Sequence, residues 1–86
     1  MPGRQTHEHD LRVLGRAIRE LREQQGLSAD ALAVASGIAR ADLAAIEAGR
    51  LDPGYRRLLR LAAGLGVRPR VLLLHIEKLG DGHDIA

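Results

Sequence analysis

The chain predicts an all-α domain of five helices, and three observations carry that expectation. Of 86 residues 45 % are hydrophobic, yet Tyr55 is the single aromatic, so the core must be assembled from Leu, Ile, Val and Ala. Such side chains suit closely packed helices better than a sheet sandwich. Apolar residues also recur at helical spacing along most of the chain, and glycines at positions 26, 37, 49 and 66 punctuate those stretches. A chain of this length makes one domain, here residues 10–79 between two polar tails, with a core that has to be small.

Residues 1–9 are polar with Pro and Gly and read as a flexible tail. His7 and His9 flank Glu8 there, but nothing on such a segment fixes a metal geometry, so no metal site is expected. From Asp10 a long helix is predicted, with Leu11, Leu14, Ile18 and Leu21 on one side and Arg12, Arg16 and Arg19 around the other, stopping at Gly26. Ser28 can cap the next helix through its hydroxyl, with Leu32 and Ala35 pointing inward. Gly37 then turns the chain, because glycine tolerates the left-handed backbone that strains residues with a Cβ. Apolar residues resume at Ile38, Leu43 and Ile46, so a third helix follows at once and crosses the second steeply. Ala33 falls at that crossing, where a larger side chain would push the two apart. Two short helices hinged at one glycine are the layout of a helix-turn-helix that reads DNA; a helical hairpin inside another all-α domain is the alternative.

Pro53 prevents the third helix from continuing and suits the opening turn of a fourth. Its stripe is Tyr55, Leu58, Leu61, Ala62 and Leu65, ended by Gly66. A fifth helix is expected from Pro69 to Leu79. Val71, Leu72, Leu73, Leu74, Ile76 and Leu79 lie on too many of its sides to face one small core. Part of that surface is expected to form a contact, with Leu72, Leu73, Ile76 and Leu79 as the candidate homodimer interface. A C-terminal helix simply lying on the core is the alternative. Residues 80–86 read as a second flexible tail.

Charge is distributed unevenly around a formal net of +2. Residues 28–49 hold one base, Arg40, against Asp30, Asp42 and Glu47, whereas residues 50–70 hold six arginines against Asp52 alone. The second segment can attract phosphate, or it can simply be a solvated helix face. Without cysteine there is no disulfide, thiolate metal site or thiol nucleophile. The start lacks the apolar stretch of a signal peptide, and the longest strongly apolar run, 71–74, is too short to span a bilayer; a soluble, cytoplasmic protein is expected. Ser36 and His75 fall on separate helices with no nucleophile elbow or orienting acid implied, and no phosphate loop appears. Catalysis is therefore not expected, nor any cofactor or small-molecule substrate.

Four segments in order carry a family resemblance: L-G-R-A-I-R-E-L-R-E-Q-Q-G-L-S from Leu14, A-L-A-V-A-S-G-I from Ala31, L-A-A-I-E-A-G-R from Leu43, and P-G-Y-R-R-L-L-R-L-A-A-G-L-G-V from Pro53. Essentially ungapped from Leu14 to Leu74, the chain resembles the Cro and lambda-repressor-like family, the XRE-type helix-turn-helix. The resemblance implies a compact five-helix domain that binds double-stranded DNA, usually as a symmetric dimer, with the third helix, residues 39–47, in the major groove. By the family's pattern Arg40, Ala41, Asp42 and Ala45 face the duplex. Arg40 is the strong reader among them, since its planar fork matches O6 and N7 of guanine, although a cation is disfavoured near a helix N-terminus. Asp42 either stabilises the helix start or accepts from a cytosine amine, while Ala41 and Ala45 offer apolar contact. Ser28 and the backbone amide of Ala29 stand at the phosphate-contacting start of the second helix, Ala29 replacing a frequent Gln. Ala39 replaces a frequent capping Ser or Thr. Arg50 and Arg56 are the backbone contacts, with Arg57 and Arg16 as secondary candidates. Glu47 and Arg22 occupy positions that often pair across the motif.

Two functions follow from these residues. One is a sequence-specific DNA-binding transcriptional regulator acting as a homodimer. The other is a protein-interaction module of the same fold, antitoxin-like or an adaptor, favoured by the thin recognition helix and the apolar fifth helix.

Overall fold

The computed structural model describes residues 2–84, with side chains described for residues 8–80. Five helices follow one another: α1 (Pro2–Gln24), α2 (Ala29–Ser36), α3 (Arg40–Glu47), α4 (Gly54–Gly64) and α5 (Pro69–Asp84). α1 packs on α3 and α5, α2 on α3 and α4, and α4 on α5. Each helical segment sends large aliphatic side chains to a common centre: Ile18 from α1, Leu32 from α2, Leu43 and Ile46 from α3, Leu61 and the cap residue Leu65 from α4, and Leu72 from α5. At roughly 1.5–3 kcal/mol for each buried side chain, this cluster is the main force that holds α2 and α3 in place.

The turn between α2 and α3 has the anticipated construction. Ser28 Oγ accepts from the Ala31 amide at 3.0 Å. At the other end Gly37 sits at φ 69°, ψ 28°, and the Ile38 amide reaches back to the Ala33 carbonyl at 3.1 Å and the Gly37 amide to that of Val34 at 3.2 Å, so two carbonyls of the last turn of α2 are satisfied while the chain reverses. Ala33 is buried. Ala35, expected inside, is exposed, and Ser36 takes the inner position. Its hydroxyl is satisfied by donating to the Leu32 carbonyl at 2.7 Å, and its small size fits because Gly64 of α4 leaves room. A Cβ on Gly64 would lie 3.1 Å from the Ser36 amide nitrogen.

Helix boundaries and four further side chains differ from expectation. α1 begins at Pro2 instead of Asp10, and α5 continues to Asp84 instead of Leu79. Both extensions lack an apolar stripe, so periodicity is silent there; once a helix is nucleated, each further residue adds one hydrogen bond at small cost. Ile85 and Ala86 of the anticipated C-terminal tail, and the His7 side chain, lie outside the described residues. Tyr55, expected in the core, is 76 % exposed. Leu72, expected at a dimer interface, is 1 % exposed, and Ile76 packs on the same core. Leu79 turns toward α1, beside Val13 and Arg12. The spacing explains this: 72, 76 and 79 form one helical stripe, and that stripe faces inward. Of the four anticipated interface residues Leu73 alone remains exposed, together with Val71 and Leu74.

Candidate nucleic-acid interface

α3 is fixed along its inner side and open along its outer one. Leu43 and Ile46 are fully buried, whereas Arg40 and Ala41 are exposed and Asp42 and Ala45 half-exposed. Its far end is locked to α1 by an ion pair anticipated from the sequence. Arg22 Nε donates to Glu47 Oε2 at 2.8 Å and Nη2 to Oε1 at 3.1 Å, and Nη1 donates to the Leu27 carbonyl at 2.9 Å. Both side chains are nearly covered, at 12 % and 11 % exposure. The bond to Glu47 raises the Arg22 pKa above its ordinary value, partly opposed by burial. A two-pronged pair with every prong satisfied fixes orientation as well as distance, so α3 is presented at a set angle.

A second restraint is invisible to sequence patterning. Gly15 of α1 lies against the last turn of α3 so closely that a Cβ there would meet the Ile46 carbonyl oxygen and come within 2.7 Å of the Glu47 carbonyl oxygen. Only glycine admits this approach. Its signal in the sequence is a glycine in the middle of a helical stretch, which otherwise weakens a helix.

The leading turn of α3 is tied to its two neighbours. Arg40 Nε donates to Asp30 Oδ1 of α2 at 2.9 Å, and Arg57 Nη2 of α4 lies 3.6 Å from Asp42 Oδ2. The first pair offsets the unfavourable placement of a cation at a helix N-terminus. The second engages Arg57, one of the secondary phosphate candidates. Both Asp30 and Arg57 acquire these roles through tertiary contacts, which no local spacing signals. Ala39 provides no side-chain cap for α3, as its identity implies, whereas Asp52, not anticipated as a cap, accepts from the Gly54 amide at 2.9 Å and secures the start of α4.

The remaining candidates divide clearly. Ser28 is exposed but uses its hydroxyl as the α2 cap, and Ala29 is partly buried against the core. Arg50 and Arg56 are exposed and make no side-chain hydrogen bond or ion pair among the described residues, so their guanidinium groups are open to an external anion. Arg16 pairs with Glu20 at 3.4 Å and lines a cleft between α1 and α5 with Leu79. Among the described residues no group of three His, Asp or Glu is placed to hold a metal ion, and no helix is long and apolar enough to cross a membrane.

Residues 13–76 match the model of the helix-turn-helix domain. The chain belongs to that family. Among solved structures, this helix-turn-helix chain is similar to the restriction-modification controller protein C.AhdI from Aeromonas hydrophila, at 38 % identity and a TM-score of 0.72, over 74 % of this chain and 97 % of that one. It also resembles the clp gene regulator ClgR from Corynebacterium glutamicum, at 26 % identity and a TM-score of 0.75, over 80 % and 90 % of the two chains. The controller protein C.Esp1396I shares the fold with a TM-score of 0.77 at 23 % identity, over 81 % and 92 %. No curated protein matches.

Proposed function

We propose that this chain reads a roughly palindromic double-stranded DNA site as a homodimer, with α3 in the major groove. The protein is a DNA-binding transcriptional regulator of the XRE-type helix-turn-helix class. The observation that carries the reading is the orientation of α3: its inner side is held by Leu43, Ile46, the Arg22–Glu47 pair and the Gly15 contact, so its outer side, with Arg40, Ala41, Asp42 and Ala45, is offered outward by a rigid support. A helix fits the major groove, where each base pair presents a distinct pattern. Arg40 supplies base discrimination. Arg50 and Arg56, with the amides opening α2 at Ser28 and Ala29, supply phosphate contacts that set the register.

The homodimer reading rests on apolar surface left uncovered. Leu73, Leu74 and Val71 of α5 and Tyr55 and Leu59 of α4 are exposed; Tyr55, Leu59 and Leu73 line one shallow apolar depression floored by Leu72. A dimer paired through this face has to present its two reading helices to successive major grooves, about 34 Å apart. Leu73→Glu should give a folded monomer in analytical ultracentrifugation. An unchanged association state would exclude this face.

Binding to a duplex selected from a random pool tests the division of labour. Arg40→Ala should remove about 1–3 kcal/mol of discrimination per half-site, while Arg50→Ala should weaken all sequences alike and lower the salt slope by about one. Equal losses in both variants would refute the assigned roles. The uncovered apolar face also favours a second reading, a protein-interaction module, which predicts a partner affinity nearly indifferent to salt.

A further inference from the structure

Arg40 opens α3 with five N–H donors on a planar fork, and one of them is committed. Nε donates to Asp30 Oδ1 at 2.9 Å, and among the described residues nothing else accepts from this guanidinium. The bond runs from the first turn of α2 to the first turn of α3, across the hinge. Arg40 and Asp30 are 50 % and 86 % exposed, so the pair adds little to folding stability in water. What it does determine is direction. With a carboxylate on Nε, the far edge of the fork, Nη1 and Nη2, is left free, and that edge matches O6 and N7 of guanine.

Resting on the reading of Arg40 as a base contact, we infer that Asp30 is a positioning residue for guanine recognition: it holds the Arg40 guanidinium end-on before DNA arrives. The concavity that Asp30 and Arg40 share is otherwise walled by Ala33, Val34, Gly37, Ile38 and Ala39, none of which carries a polar side chain, so Asp30 is the one carboxylate lining it. A free arginine loses several rotamers when it binds, and prior restraint reduces that loss. The same carboxylate repels phosphate, so it weakens attraction to every duplex. Asp30 thus acts in opposite directions on specific and general binding, which a residue that merely supports the fold does not do.

The probe is a duplex selected by the native protein, compared with one whose guanine opposite Arg40 is replaced by 7-deazaguanine, which lacks the N7 acceptor. The native protein should prefer guanine by about tenfold. Asp30→Ala should reduce that preference to about twofold while tightening binding to a random duplex, and Asp30→Asn, which keeps an acceptor oxygen, should retain part of the preference. Far-UV circular dichroism checks that both variants fold. If Asp30→Ala keeps the native preference while Arg40→Ala abolishes it, Asp30 has no positioning role and the reading helix stands as assigned. If Arg40→Ala leaves the preference intact, or if selection yields no guanine-dependent site, the base contact itself is wrong and this inference falls with it.

Discussion

Gly15→Ala offers a measurement in which the sign alone is informative. Gly15 lies inside α1 without a positive φ, so by helix propensity an alanine should stabilise the protein by roughly 0.5–1 kcal/mol. The tertiary structure predicts the reverse. The new Cβ would meet backbone atoms of the last turn of α3, the Glu47 carbonyl oxygen at 2.7 Å and its carbon at 2.9 Å. Backbone cannot rotate away as a side chain can, so α1 and α3 must separate. Overpacking of this kind costs about 1–3 kcal/mol, against a total of about 4–13 kcal/mol for a domain of this size. A net loss near 1–2 kcal/mol corresponds to a Tm lowered by about 4–16 °C, read by thermal unfolding in far-UV circular dichroism. Gly80→Ala is the internal control. It is also helical and without positive φ, but among the described residues its Cβ would meet only Val13 Cγ1 at 4.0 Å, so it should be neutral or slightly stabilising. A Gly15→Ala variant as stable as the native protein would refute the close crossing on which the placement of α3 depends.

Three further outcomes are expected. Glu47→Ala strands the nearly covered Arg22 guanidinium and should cost about 3–5 kcal/mol in urea unfolding, with α3 loosened and DNA affinity reduced beyond what stability alone predicts. Ala39→Ser supplies the cap that α3 lacks and should raise stability by about 1 kcal/mol in the same assay; no gain would mean the α3 amides are already satisfied. Leu72→Ala, at a side chain with 1 % exposure, should lose about 2–5 kcal/mol, in contrast to Leu73→Glu, which should keep the monomer stable.

Much of this architecture is legible without coordinates because it is set by neighbours in the chain. Ser28 caps the turn immediately after it, Gly37 needs only its own backbone freedom to reverse the chain, and Leu72, Ile76 and Leu79 declare one stripe by their spacing alone. The number of helices and the hinge follow from such local rules, and the family resemblance adds the pairing of Arg22 with Glu47. Which stripe of α5 turns inward, the exposure of Tyr55 and Ala35, the intolerance of Gly15 to a methyl group, and the bond from Asp30 to Arg40 are different in kind. Each depends on the distance and angle between helices, and those are set by the simultaneous packing of aliphatic side chains from all five. Periodicity shows that a helix has an apolar side, but it carries no information about which residues of another helix will stand opposite it.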